Sequence, residues 1–179
     1  MTLKDILIAG KLTISEGGGG GDTLAERCNN TLTVYHSDDV IGLQGAVFQD
    51  CTSLVGLVLP NLASLSHYGT MQSCSNLEYA DIGGTFERVQ IRTFQNCAKL
   101  SVIVIRNATV AGLANTNALD GTPFASGKSG GTLYVPQSLI STYESTSNWS
   151  TILGYADNQI KAIEGSIYEN AYADGTPIA

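Results

Sequence analysis

Cys28, Cys51, Cys74 and Cys97 are the only cysteines of this chain, and each stands 23 residues after the last. Apolar residues keep the same step. Phe48, Met71 and Phe94 lie three before a cysteine, Leu54, Leu77 and Leu100 three after, and Val34, Leu57, Ala80 and Ile103 six after. A fixed period in the twenties, with apolar residues at fixed phase, marks a chain wound into stacked turns that share one core. The expected fold class is therefore α/β, a short solenoid of period 23. Phe48 and Cys51 are three apart, so one helical or 3-10 turn on the outer side points both inward. The alternating pairs Leu57/Leu59 and Ile103/Ile105 read as short strands with one face buried. A solenoid strand of this kind pairs in parallel with its neighbours.

The cysteine spacing bears on chemistry as well. Zinc sites pair ligands two to four residues apart, and this chain has no such pair. Equivalent residues of stacked turns lie about 4.8 Å apart. That is within disulfide reach by Cα distance, but their side chains point in parallel rather than at each other. The cysteines are accordingly expected as a buried ladder of small apolar thiols. The two histidines, His36 and His67, fall on a strand and on the outer side, away from the thiols. Carboxylates recur in no fixed pair, and the five-glycine run lacks the Lys-Ser/Thr of a phosphate loop. The chain is expected not to be an enzyme, with no catalytic residues, metal site or cofactor. A net charge of −7 argues against nucleic acid, and no stretch approaches the roughly 20 apolar residues of a membrane span. Within Met1–Ser15 the apolar run is only Ile6–Ala9, too short for a signal core, so synthesis in a cytoplasm is expected.

The order of segments follows. Residues 1–16 read as an attachment segment, in which Lys11–Ile14 suits a strand as well as a helix. Residues 17–22 hold Gly17, Gly18, Gly19, Gly20 and Gly21, a flexible joint about 12 Å long on average. Deletion of residues 1–21 is expected to leave the fold intact and to abolish assembly. Residues 23–135 form the repeat array, ending in a strand at Thr132–Val135 after a polar loop at 114–131. Pro136 opens a helix whose Leu139, Ile140 and Tyr143 make a one-sided stripe, so residues 136–165 read as a lid with a last short strand at Gln159–Glu164. Residues 166–179 lack periodicity and read as an extended arm or a disordered segment, whose tyrosines and isoleucines suggest that it packs on something.

The pattern Ala46-x-Phe48-x-x-Cys51-x-x-Leu54-x-x-Leu57-x-Leu59-Pro60, repeated in Phe94-x-x-Cys97-x-x-Leu100, resembles the BspA-like class of leucine-rich repeat proteins. The closing Leu133-Tyr-Val-Pro136, with Leu139, Tyr143, Asn148-Trp149 and Ile160–Ile163, resembles the end of such arrays in Firmicutes proteins and their phages. The chain departs from the longer leucine-rich consensus. Leu62, Thr85 and Ala108 stand where that has asparagine, so backbone and cysteine packing must satisfy the bends. The first turn is the least regular, with Thr31 and His36 at positions that are leucine or isoleucine elsewhere.

Outward strand positions form two columns. One reads Tyr35, Val58, Asp81, Val104 and Tyr134, and the other Thr33, Gly56, Tyr79, Val102 and Thr132. Contiguous exposed Tyr and Val make this the expected binding or self-assembly face, with Tyr35, Val58, Tyr79, Asp81, Val102, Val104 and Tyr134 as its site residues. The resemblance implies two roles. One is a phage virion structural or adhesive protein, such as a head or tail fibre or decoration protein. Its partners would be other virion proteins and sister subunits, with a homotrimer as first guess, and a host-surface protein or glycan. The alternative is a recognition module or adhesin at the bacterial cell surface.

Overall fold

The computed structural model describes residues 12–15, 32–125, 127–153 and 159–170. Eleven strands are described. They are β1 (Leu12–Ser15), β2 (Val34–His36), β3 (Val40–Gln44), β4 (Gly56–Leu62), β5 (Ser64–Leu65), β6 (Tyr79–Gly84), β7 (Arg88–Val89), β8 (Val102–Ile105), β9 (Gly112–Leu113), β10 (Thr132–Val135) and β11 (Ile160–Ala162). The largest sheet has six strands in the order β11-β10-β8-β6-β4-β2, and each of its pairings is parallel. The chain is thus an α/β protein dominated by a parallel sheet with few helices.

Register carries the sequence step directly into space. Gly56 pairs Tyr79, and Tyr79 pairs Val102, so neighbouring strands are offset by 23 residues. The same pairing sets Leu57 beside Ala80 and Ala80 beside Ile103, so apolar residues meet like residues along the inner face. Two further parallel ladders are present, β1-β3-β5 and β7-β9. Between the strands, one-turn bends are bonded to later segments. Phe48 N–H donates to Thr70 O at 2.9 Å, Met71 to Thr93 at 3.0 Å, and Phe94 to Ala118 at 2.8 Å. Backbone bonds therefore join the bends as well as the strands, which satisfies main-chain groups that burial would otherwise strand.

The bends share one conformation. Each closes with an i→i−3 bond onto Phe48, Met71 or Phe94, and each ends in a left-handed residue just before the cysteine: Asp50, Ser73 and Asn96, at φ 59°, 64° and 64°. Asp and Asn tolerate this region because their short polar side chains bond locally. The residues at −3, 0 and +3 of the ruler all point inward. Phe48, Met71, Phe94, Cys51, Cys74, Cys97, Leu54, Leu77 and Leu100 are fully buried in one continuous core.

Helices α1 (Ile140–Ser145) and α2 (Trp149–Ile152) close over the edge near β9. Both backbone groups of Ala111 are met there: its N–H donates to Tyr143 Oη at 3.0 Å, and its carbonyl accepts from Trp149 Nε1 at 2.8 Å. Asn148 Nδ2 donates to Leu113 O at 2.8 Å. Burial pushes the Tyr143 hydroxyl pKa up to about 12.

Two sequence expectations change here. The segment 1–16 is not wholly separate from the strands that follow, because β1 pairs in parallel with β3. The glycine run Gly17–Gly21, expected as a flexible joint, falls outside the described residues, as does Cys28. Strand β2 also sits one residue away from its expected register, since Val34 pairs Gly56 at an offset of 22.

Candidate functional site

The outward face of the six-stranded sheet is the surface that the sequence singles out. The 22-residue offset of β2 turns its side chains over, because a one-residue slip exchanges the two faces of a strand. Tyr35 therefore belongs to the core, 4% exposed, its ring centroid 5.2 Å from that of Phe48. It is not a member of the outward face, and burial raises its hydroxyl pKa. Val34 and His36 take the outward places given to Thr33 and Tyr35. The observed columns are His36, Val58, Asp81, Val104, Tyr134 and Lys161, beside Val34, Gly56, Tyr79, Val102 and Thr132.

Nor is the face free. Val58, Asp81 and Val104 are buried, and Tyr79, Val102 and Tyr134 are partly buried. What covers the centre is the chain's own C-terminal segment. After β11, Ile163 and Tyr168 join Val104 in a small apolar cluster of their own, flanked by Tyr79, Val102 and Tyr134. The Tyr168 ring stacks on Tyr79, with centroids 5.5 Å apart and planes 17° apart, and meets Tyr134 edge-on at 4.5 Å. A short turn shapes the segment: Ser166 Oγ donates to Ile163 O at 2.6 Å and accepts from Tyr168 N–H at 3.1 Å.

An ion pair anchors it. Asp81, 1% exposed, accepts from Arg106 Nε at 2.8 Å and Nη2 at 2.7 Å, and from the Tyr79 hydroxyl at 2.7 Å. Arg106 then reaches the segment's backbone, with Nη2 donating to Tyr168 O at 2.6 Å and Nη1 to Glu169 O at 3.4 Å. Burial alone would lower the guanidinium pKa, but the adjacent Asp81 carboxylate reverses the direction and raises it. The face thus recognises an aromatic ring and two peptide carbonyls.

Sequence reasoning placed Tyr79, Asp81, Val102, Val104 and Tyr134 together and missed Arg106 and Tyr168. Arg106 was within reach, since positions 102, 104 and 106 share one face of an extended chain. A carboxylate in an apolar column also needs a partner. Tyr168 carried only the general signal of apolar side chains in an aperiodic tail.

The cysteines depart from the expected ladder of thiols at one position. Cys51 is disulfide-bonded, whereas Cys74 and Cys97 are free and buried. The expectation took parallel side chains to exclude a bond, although the spacing of stacked strands lies within the Cα window of a disulfide. Each free thiol donates to a carbonyl of the preceding turn: Cys74 Sγ to Phe48 O at 2.9 Å and Cys97 Sγ to Met71 O at 3.1 Å. Among the described residues no group of three or more His, Cys, Asp or Glu side chains is placed to hold a metal ion, and no helix is long and apolar enough to cross a membrane. No family model matches the chain, and no curated protein or solved structure is similar to it.

Proposed function

We propose that this chain is a non-enzymatic leucine-rich-repeat-type solenoid that acts through protein contacts, as a structural or adhesive component of a phage virion such as a head or tail fibre or decoration protein. The 23-residue offset between β4, β6 and β8 and the recurring bend conformation support the solenoid reading. The closure of the β9 edge by α1 and α2 supports reading them as the lid that such a stack needs.

One observation carries the functional reading: the tyrosine-bearing sheet face already holds a peptide, through aromatic contacts and the Arg106 fork. A surface that grips the chain's own segment in this way has the chemistry of protein recognition rather than of catalysis. Sister subunits, other virion proteins and a host-surface protein or glycan are the proposed partners, and a homotrimer the proposed assembly.

A second reading, a secreted or cell-surface recognition module of a bacterium, is favoured by the disulfide at Cys51, because disulfides persist in oxidising surroundings. Peptide mass spectrometry on purified particles and on the wall fraction of the producing cells separates the two. Recovery in particles at structural copy number supports the virion role. Recovery only in the wall fraction supports the second reading, and recovery in neither overturns both.

A further inference from the structure

Cys74 and Cys97 are more closely related than two residues that merely share a core. The Met71 carbonyl accepts from Cys74 N–H at 3.4 Å and from Cys97 Sγ at 3.1 Å, so the Cys97 sulfur lies against the backbone turn that carries Cys74. The Phe48 carbonyl does the same for Cys51 N–H at 3.2 Å and Cys74 Sγ at 2.9 Å, so the arrangement repeats one turn earlier. The two backbones are also tied on both sides of the cysteines. Ser73 N–H donates to Gln95 O at 2.8 Å, and Tyr79 pairs Val102 in the sheet. Strands bonded in this way stand about 4.8 Å apart, inside the roughly 4.4–6.8 Å Cα window of a disulfide. Interaction with Cys74, followed by burial, also pushes the Cys97 thiol pKa up.

We infer that Cys74 and Cys97 are a latent disulfide pair, a modification site at which a thiol oxidant joins two successive turns of the chain covalently. Cys51, on the same ruler, is already disulfide-bonded, so a disulfide forms at another cysteine of this series. The inference stands apart from the role proposed above, because it rests on the packing of the turns alone.

The oxidant is a diazene such as diamide, or a low-molecular-weight disulfide. With diamide, one thiolate adds across the N=N bond. The other thiolate attacks that sulfur, the S–S bond forms, the S–N bond breaks, and the hydrazine leaves with two electrons and two protons. Both thiols are fully buried, so the reaction proceeds through local opening and is slow in the native state. It accelerates with pH, because the thiolate is the reacting form.

The test is to incubate the full chain with diamide, alkylate it in denaturant and map its peptides without reduction. The Cys74 and Cys97 peptides are expected to be joined within one chain, two hydrogens lighter, with neither thiol alkylated. The cross-link should be absent from Cys97→Ser, with Cys97→Ala as a second variant should the serine disturb the core. The oxidised chain should also unfold at a higher temperature than the reduced one. Two results would overturn the inference: both thiols still alkylated after incubation at a temperature where amide exchange reports opening of this region, or Cys74 joined to another chain.

Discussion

Arg106, the residue after β8, grips Asp81 of the adjacent β6 with two parallel hydrogen bonds, Nε to Oδ1 at 2.8 Å and Nη2 to Oδ2 at 2.7 Å. The Asp81 side chain is almost wholly buried and the Arg106 side chain is 22% exposed. The pair joins the parallel stack to the segment lying over it, because Nη2 also holds the Tyr168 carbonyl.

Removing one partner should therefore cost more than removing both. Arg106→Ala strands the Asp81 charge in a dry site and is expected to destabilise the fold by about 3 kcal/mol. The double variant Asp81→Val/Arg106→Met should lose less. Chemical denaturation of the three proteins gives the comparison.

Tyr168→Ala should open the face without disturbing the core, since Tyr168 belongs to a cluster separate from the main one. A loss of about 1–2 kcal/mol is expected from the aromatic contacts and buried area. Nitration by tetranitromethane should then modify Tyr79 and Tyr134 faster than in the parent chain.

Gly84→Ala should be severe. Gly84 has φ +119°, and a Cβ there would fall on the Leu62 carbonyl of the neighbouring strand. Both the left-handed backbone and the clash act against the alanine, so a loss of about 2–4 kcal/mol is expected, read from the denaturation midpoint.

Alkaline pH should weaken the fold through Tyr143. Its hydroxyl titrates near 12 when folded, against about 10 in an unfolded chain. The unfolded state therefore loses this proton first, and stability present below pH about 10 falls as pH rises towards 12. The full effect is about 3 kcal/mol. Tyr143→Phe, which also leaves the Ala111 N–H unmet, should be less stable at neutral pH and should lack that part of the alkaline slope.

Much of the packing was legible because a period repeats its evidence. Phe48, Met71 and Phe94, the residues about the cysteines and the inner strand pairs all point inward, as the 23-residue phase requires. Where the period slipped, the reading failed: one residue fewer between β2 and β4 carried Tyr35 into the core and His36 out of it. The covered face was illegible for a different reason. Tyr168 meets Tyr79 and Tyr134 from an aperiodic segment distant in sequence, and no local pattern encodes such a contact. The disulfide at Cys51 was missed because the even spacing was read as a ladder of parallel thiols.

The parallel, 23-residue register is the claim on which the rest depends, and nuclear Overhauser contacts across the strands test it most directly. Amide-to-Hα contacts linking Leu57 with Ala80, and Ala80 with Ile103, are predicted in the pattern of a parallel ladder. Hα-to-Hα contacts of antiparallel pairing between these strands, or partners at any other offset, would contradict the account.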